Sequence, residues 1–204
     1  MKKLTRKNLD ELAQEMPVIN EMQQRIFIGG GDIYRLNIDG TTTKIGTDNE
    51  SFDTLTSYNS NGATQTFSTG ILGNMMQQGA NVEILSATEA KKLFEFCADN
   101  SLVEFGATIN IDESNSGNRY LIYTNNSMSG LSGVAAGSGV NYMYHSHVTD
   151  GNPSPTDYSG TANLPDGTVF GVYYSGNYAY FWGDGMLTSG SSSGYVPGFG
   201  SGTY

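Results

Sequence analysis

Apolar residues along this 204-residue chain stand mostly in short runs, separated by stretches rich in Gly, Ser, Thr and Asn. Short runs rich in Val, Ile, Tyr and Phe are typical of strands joined by turns. One of them, Ile33–Ile38, ends at Asp39-Gly40 and is followed by a second alternating segment. Because Asp-Gly is a strong turn signal, this pattern predicts a β-hairpin. Residues 32–80 are therefore expected to form a β-rich lead-in.

A helix is predicted directly after Ser86. Ser86 and Glu89 have the spacing of an N-terminal cap, and Leu93 and Cys97 belong to an apolar stripe at helical spacing. The helix is expected to end at Asn100. Strands are then predicted over residues 102–111, 119–124, 140–145, 168–174 and 178–182, with a turn at Gly176-Asn177 and a second helix starting at Ser154.

Charge and cysteine content exclude several classes of function. The chain has 10 Lys and Arg against 20 Asp and Glu, a net charge of −10, and a polyanionic surface repels phosphate backbones and anionic lipid. We therefore expect no nucleic acid partner. We also expect no membrane insertion, because no apolar run approaches the roughly 20 residues that span a bilayer. The single cysteine, Cys97, excludes an internal disulfide framework and is predicted to be a buried, inert thiol.

The two histidines of the chain stand together as His145-Ser146-His147, at the end of a predicted strand. Side chains two apart in a strand project from one face, so both imidazoles can reach one metal ion. Asp157, near the start of the second predicted helix, is a candidate third ligand that leaves a fourth position for water, as catalytic zinc requires. Simpler interpretations remain open. The histidines could be surface residues, and Ser154 and Asp157 could form a helix cap, which is compatible with metal binding.

This arrangement resembles the signature of the JAMM zinc peptidases, which is His-x-His, about seven residues, then Ser-x-x-Asp. That family also carries a Glu on the first strand after a helix, closely followed by Gly. The run Leu102-Val103-Glu104-Phe105-Gly106 stands in that place. The resemblance covers about residues 82–183. It implies an α+β fold with a JAMM (cytidine-deaminase-like) mixed β-sheet flanked by helices.

The resemblance also implies a role for each of these residues. Zn²⁺ would be held by His145, His147 and Asp157. Glu104 would act as the general base and later return the proton to the leaving amine, and Ser154 would donate a hydrogen bond to the oxyanion. The reaction would be hydrolysis of a peptide or isopeptide bond, so the expected partner is a polypeptide substrate.

The chain departs from the family pattern at two places in one loop. Six residues, 148–153, separate His147 from Ser154 where seven is usual, and Val148 stands where a proline commonly follows the second histidine. A shorter loop could displace the aspartate from the histidines. Asp150 is therefore a second candidate ligand.

The two ends of the chain differ from its centre in composition. Residues 1–30 hold five of the ten basic residues and end in Gly29-Gly30, followed by Gly31. Residues 185–204 hold eleven Gly or Ser and no charged residue. The composition of this last segment predicts a flexible, linker-like tail.

Residues 1–30 resemble a double-glycine leader, the kind that peptidase-containing ABC exporters remove. With cleavage after Gly30, Met16, Ile19 and Phe27 fall where such leaders place apolar anchors, although Gln24 stands where another apolar residue is common. The resemblance implies an exporter as partner and export of the protein, which is otherwise expected in the cytoplasm. An N-terminal helix with a glycine hinge is the alternative.

Three functions follow from these patterns. The first is an exported zinc metallopeptidase. The second is a non-catalytic binding module of the same fold, and the third is a bacteriocin-like exported protein with a structural zinc. The presence of a Glu, two His, a Ser and an Asp at the matching positions favours the first, because a scaffold does not need all five.

Overall fold

The computed structural model of this chain describes residues 31–59, 62–75, 82–84, 86–111, 118–128, 130, 140–161, 168–182, 185–191 and 194–201. The segment that resembles a leader, residues 1–30, lies outside these ranges. No helix in the described part of the chain is long and apolar enough to cross a membrane.

The lead-in forms a four-stranded sheet. Its strands are β1 (Asp32–Leu36), β2 (Thr42–Thr47), β3 (Phe52–Ser57) and β4 (Thr64–Ser68) in the order β2-β1-β3-β4. β1 and β2 are antiparallel, so the predicted hairpin is confirmed. Gly40 lies in its turn with φ +80°, a conformation that favours glycine. A 3-10 helix at Leu72–Met75 follows β4.

The larger sheet has seven strands and is mixed. Its strands are β5 (Val82–Ile84), β6 (Gly106–Asn110), β7 (Arg119–Tyr123), β8 (Val140–Ser146), β9 (Val169–Tyr174), β10 (Asn177–Trp182) and β11 (Gly185–Ser191). They run in the order β11-β10-β9-β8-β6-β7-β5, and β8 pairs with β9 in parallel. With α1 (Ala87–Asp99) and α2 (Pro155–Thr161), the sheets confirm the α+β class. The finer JAMM arrangement stays a prediction.

Helix α1 begins where its cap predicts. The Oγ of Ser86 accepts a hydrogen bond from the N–H of Glu89 at 3.3 Å. The Glu89 carboxylate accepts from the N–H of Ser68 at 2.7 Å, which joins the helix to β4. Cys97 is fully buried and burial raises its thiol pKa, which agrees with the predicted inert thiol.

The lead-in and the larger sheet share one hydrophobic core. Buried side chains of β1, β3 and β4 belong to the same cluster as those of α1 and the inner face of the larger sheet. The N–H of Leu102 also donates to the carbonyl of Ile38 at 2.9 Å. The lead-in is therefore packed against the region that carries the candidate chemistry.

The expected flexible tail is wrong for the described residues beyond 184. β11 extends the larger sheet, and β12 (Tyr195–Val196) pairs with β13 (Gly200–Ser201). Val196 and Phe199 are buried, and the Phe199 ring stacks on Tyr144 with centroids 5.4 Å apart. The composition is dominated by Gly and Ser, but these few apolar side chains have a place in the core, so burial outweighs the entropy cost of ordering the segment.

The hairpin between β9 and β10 turns one residue earlier than predicted. Ser175 and Gly176 form the turn with φ +45° and +77°, and Asn177 already pairs with Tyr174. Two successive left-handed residues are what a tight two-residue hairpin needs.

Candidate metal centre

Strand β8 carries His145, and His147 follows directly after the last residue of the strand, on the same face. His145 and His147 alternate with Tyr144 and Ser146, which point into the core and are each 1% exposed. The two imidazoles converge, with their Nε2 atoms 3.0 Å apart. The N–H of His147 donates to the carbonyl of Tyr173 in β9 at 3.0 Å, so the end of the strand is held in the sheet.

The first turn of α2 places Asp157 against these imidazoles. The Oγ of Ser154 accepts from the N–H of Asp157 at 3.2 Å, and Asp157 Oδ2 accepts from the N–H of Ser154 at 2.5 Å. This reciprocal pair confirms the predicted helix cap. The same carboxylate lies 3.1 Å from the Nε2 of His145, through Oδ1, and 3.3 Å from the Nε2 of His147, through Oδ2. The same hydrogen-bonded cap thus fixes the start of α2 and places the Asp157 carboxylate against both histidines.

The three side chains fit a single metal ion. One ligand atom of each, from His145, His147 and Asp157, lies within 4.8 Å of the others. Four ligands at about 2.05 Å from a tetrahedral ion lie about 3.3 Å from one another. The two Nε2 atoms are 3.0 Å apart, and the two oxygens of the Asp157 carboxylate lie 3.1 and 3.3 Å from one imidazole each, which is close to that edge length. The group can therefore hold a metal ion without rearrangement of the backbone.

Electrostatics favour a cation at this point. Burial by itself raises the pKa of Asp157, but hydrogen bonds with His145 and His147 outweigh it and hold the pKa well below its usual range. The hydrogen bond to Asp157 in turn raises the pKa of His147. The carboxylate therefore stays ionised, and its negative charge beside two imidazoles favours binding of a divalent cation.

The shortened loop does not displace the aspartate. Asp157 reaches both histidines, and Asp150, the second candidate ligand, is outside the group of three in the described part of the chain. The Oδ1 of Asp150 instead accepts from the N–H of Asn152 at 2.9 Å. Its role within the loop is that of a turn-stabilising side chain.

Glu104 lies beside this group, but not on a strand as predicted. β6 begins only at Gly106. The backbone of Glu104 has other partners: its N–H donates to the carbonyl of Ser127 at 2.9 Å, and its carbonyl accepts from the Thr124 hydroxyl at 2.7 Å. These partners belong to the connection that follows β7. Loop contacts therefore fix the backbone of Glu104, and its side chain is 8% exposed at the wall of the cleft.

Burial raises the pKa of the Glu104 carboxyl, and the neighbouring His145 and His147 oppose that rise. The Glu104 carboxyl is therefore close enough to both histidines for their charge to affect its pKa. A carboxyl group with a raised pKa is suited to accept a proton and to release it again.

Ser146 connects the glutamate segment to the histidine strand. Its Oγ accepts from the N–H of Phe105 at 2.9 Å, and its own N–H donates to the carbonyl of Phe105 at 2.8 Å. The residue between the two histidines therefore binds the residue after Glu104. No role for this serine was predicted from the sequence. Its signal is a polar residue at a core-facing position of an apolar strand.

A cleft of about 700 Å³ surrounds the group. Its lining contains the five residues singled out by the sequence analysis, which are Glu104, His145, His147, Ser154 and Asp157. Beyond the metal group, Met143, Phe170 and Phe181 give the cleft an apolar wall. The Oγ of Ser154 accepts from a backbone N–H, so its hydroxyl proton is free to donate into the cleft.

A known protein family matches the region that carries the candidate metal centre. The family described as JAB-like toxin 1 matches residues 82–173. That stretch contains α1, the glutamate segment, the histidine strand and the aspartate helix, so residues 82–173 are similar to a JAB/JAMM-like domain. No curated protein and no solved structure matches the chain.

Proposed function

We propose that this protein is a zinc-dependent metallopeptidase that hydrolyses a peptide or isopeptide bond. The observation that carries this proposal is the convergence of His145, His147 and Asp157 within 3.0–3.3 Å, with Glu104 on the wall of the same cleft. The JAB-like match over residues 82–173 supports it. The JAMM (cytidine-deaminase-like) arrangement of sheet and helices belongs to the same proposal.

The ligand atoms favour zinc as the resident ion. Two imidazole nitrogens and one carboxylate oxygen form a donor set of catalytic zinc, which keeps a fourth position open. When bound, such an ion supplies Lewis-acid chemistry and lowers the pKa of a water to roughly 7. His145, His147 and Asp157 would hold it.

The chain's own residues supply the proton transfers. Glu104, buried to 8% exposure, accepts the proton of the attacking water and later gives it to the leaving amine. The Ser154 hydroxyl donates to the carbonyl oxygen of the scissile bond as negative charge develops there. No covalent acyl-enzyme is needed, and Cys97, fully buried in the core, takes no part.

The charge of the cleft agrees with a polypeptide substrate. Its described lining includes the carboxylates of Glu104, Asp150 and Asp157 and no Lys or Arg. A neutral or basic peptide segment enters such a cleft without the repulsion that a polyanion would meet.

The decisive experiment is Glu104→Gln, with metal content and hydrolysis of a quenched fluorescent peptide library measured on the same preparations. We expect zinc to stay near one equivalent, because Glu104 is not one of the three ligands. We expect hydrolysis to fall by a factor on the order of 10³, because the proton acceptor is lost. Glu83→Gln is the matched control, since this glutamate is 54% exposed and pairs with Arg119 away from the cleft.

The competing functions give different results in this experiment. A non-catalytic JAB-fold binding module, or a bacteriocin-like protein with a structural zinc, cleaves no library member in the wild type. Full activity of Glu104→Gln would also reject the proposed mechanism.

We further propose that the protein is exported and acts as a toxin-like peptidase. The description of the matching family supports the toxin setting, and the resemblance of residues 1–30 to a double-glycine leader supports export through a peptidase-containing ABC exporter. Gly31 belongs to the fold itself, because a Cβ there would lie 1.8 Å from the carbonyl oxygen of Phe52. Co-expression with such an exporter and N-terminal sequencing should give a chain that starts at Gly31 or Asp32. An exported protein that keeps Met1 would rule the leader out.

A further inference from the structure

A tyrosine lies across the sheet from the metal group. Tyr123 is the last residue of β7 and pairs with Gly106 of β6, and Gly106 pairs on its other side with His145 of β8. The three residues therefore form one row across the sheet, with glycine in the middle. Side chains in such a row lie on the same face, so Tyr123 and the His145 imidazole share the face that opens into the cleft.

The absence of a side chain at Gly106 lets the tyrosine ring lie down over the sheet. A Cβ placed on Gly106 would lie 2.3 Å from the Cζ of Tyr123 and 2.7 Å from its hydroxyl oxygen. Directly paired Cβ atoms of neighbouring strands are about 5 Å apart. The hydroxyl is thus held above Gly106, between β7 and the histidine strand, and Tyr123 lines the cleft with Glu104 and His145.

The Tyr123 hydroxyl has no hydrogen-bond partner among the residues that the structure describes, and although the residue is only 8% exposed, this oxygen is open to the cleft. Three other buried tyrosines have partners, whereas Tyr180 has none in the described part of the chain. Tyr144 donates to Pro197 at 2.6 Å, Tyr173 to Asp99 at 2.7 Å and Tyr178 to Glu95 at 2.9 Å. A tyrosine in an otherwise apolar site normally pairs its hydroxyl with a polar group. The Tyr123 hydroxyl is an unpaired donor that a molecule bound in the cleft can reach.

We propose that the Tyr123 hydroxyl binds the polypeptide substrate by donating a hydrogen bond to a main-chain carbonyl next to the scissile bond. This inference rests on the proposed peptidase function and adds a substrate-binding residue to it. Burial raises the pKa of Tyr123 to about 12, so the phenol keeps its proton at neutral pH and acts as a donor. In an extended peptide the groups that can accept this bond irrespective of sequence are the main-chain carbonyls.

The test compares Tyr123→Phe with Tyr180→Phe. Both changes remove only a hydroxyl. The Tyr180 hydroxyl is buried without a hydrogen-bond partner in the described chain, and Tyr180 does not line the cleft. The probe is the quenched fluorescent peptide that the wild type cleaves fastest in the library. Zinc content and the circular dichroism spectrum verify that each variant is folded and loaded.

We expect Tyr123→Phe to lower kcat/KM by about tenfold, mostly through KM, because a hydrogen bond to an uncharged group is lost. Tyr180→Phe should keep the wild-type constants. Equal constants for Tyr123→Phe and the wild type would overturn the inference and leave the peptidase proposal standing, as would an equal loss in both variants. If the wild type cleaves no peptide while it holds zinc, the proposed function and this inference fall together.

Discussion

The two faces of strand β8 have opposite tasks. Met143 and His145, together with His147 directly after the strand, face the cleft and remain partly exposed, whereas Tyr144 and Ser146 face the core and are nearly inaccessible. A strand alternates its side chains, so one seven-residue segment contributes to both. The metal site and the stability of the fold can therefore be altered separately in this strand, because neighbouring residues lie on opposite sides of the sheet.

The largest effect is expected from the cleft face. His145→Ala should abolish metal binding at stoichiometric zinc and reduce hydrolysis by a factor on the order of 10³, because one of three ligands is lost. With chelator present, its free energy of unfolding should stay within about 1 kcal/mol of the wild type, since a partly exposed imidazole contributes little packing. Metal analysis measures the zinc content, and urea denaturation measures the free energy of unfolding. A variant that retains one zinc per chain contradicts the assignment of His145 as a ligand.

The next effect belongs to the core face. Tyr144→Ala should lower the free energy of unfolding by about 3–5 kcal/mol, because a large aromatic side chain leaves a cavity. The ring stacks on Phe199, and its hydroxyl donates to Pro197, so the loss should also release the C-terminal strands. Urea denaturation gives the energy, and faster hydrogen exchange after residue 194 gives the location. A loss below 1 kcal/mol would show that the C-terminal segment does not depend on this ring.

A smaller effect is expected where the two faces are coupled. Ser146→Ala removes the acceptor of the buried Phe105 N–H and should cost about 1–3 kcal/mol of stability. Because Phe105 follows Glu104, we also expect kcat to fall while KM and zinc content stay near wild-type values. Ser146→Thr keeps a hydroxyl and should restore part of kcat. If the serine has a purely structural role, both variants will keep the wild-type kcat once folded.

The smallest effect is expected from the loop next to the cleft face. Asp150→Asn should change zinc affinity less than about twofold, because Asp150 is not among the three ligands and an asparagine oxygen can still accept from Asn152. Competition with a chromogenic chelator measures the affinity. A tenfold loss would return Asp150 to the list of candidate ligands.

Local patterns account for the features that the sequence analysis predicted correctly. The hairpin at Asp39-Gly40 and the cap at Ser86 depend on residues within a few positions of each other, and so does the reciprocal cap of Ser154 and Asp157. Such signals act through backbone geometry and short hydrogen bonds, which hold in many tertiary contexts.

Predictions that depended on distant partners were incomplete or wrong. The tail beyond residue 184 was expected to be flexible from its composition, but Val196 and Phe199 are buried among side chains far away in the chain. Glu104 was placed on a strand, whereas its backbone partners are Thr124 and Ser127. No spacing rule connects these positions.

The sequence by itself determined that strands joined by turns dominate over helices and which side chains could bind a metal, because strand alternation and helix caps are short-range properties of the backbone. Only the tertiary structure decided that Asp157 meets both imidazoles at 3.1 and 3.3 Å, that Ser146 binds the segment of Glu104, and that Tyr123 lies over Gly106. These contacts join separate elements of the chain. Their formation depends on how the sheet and helices pack as a whole, which no local pattern encodes.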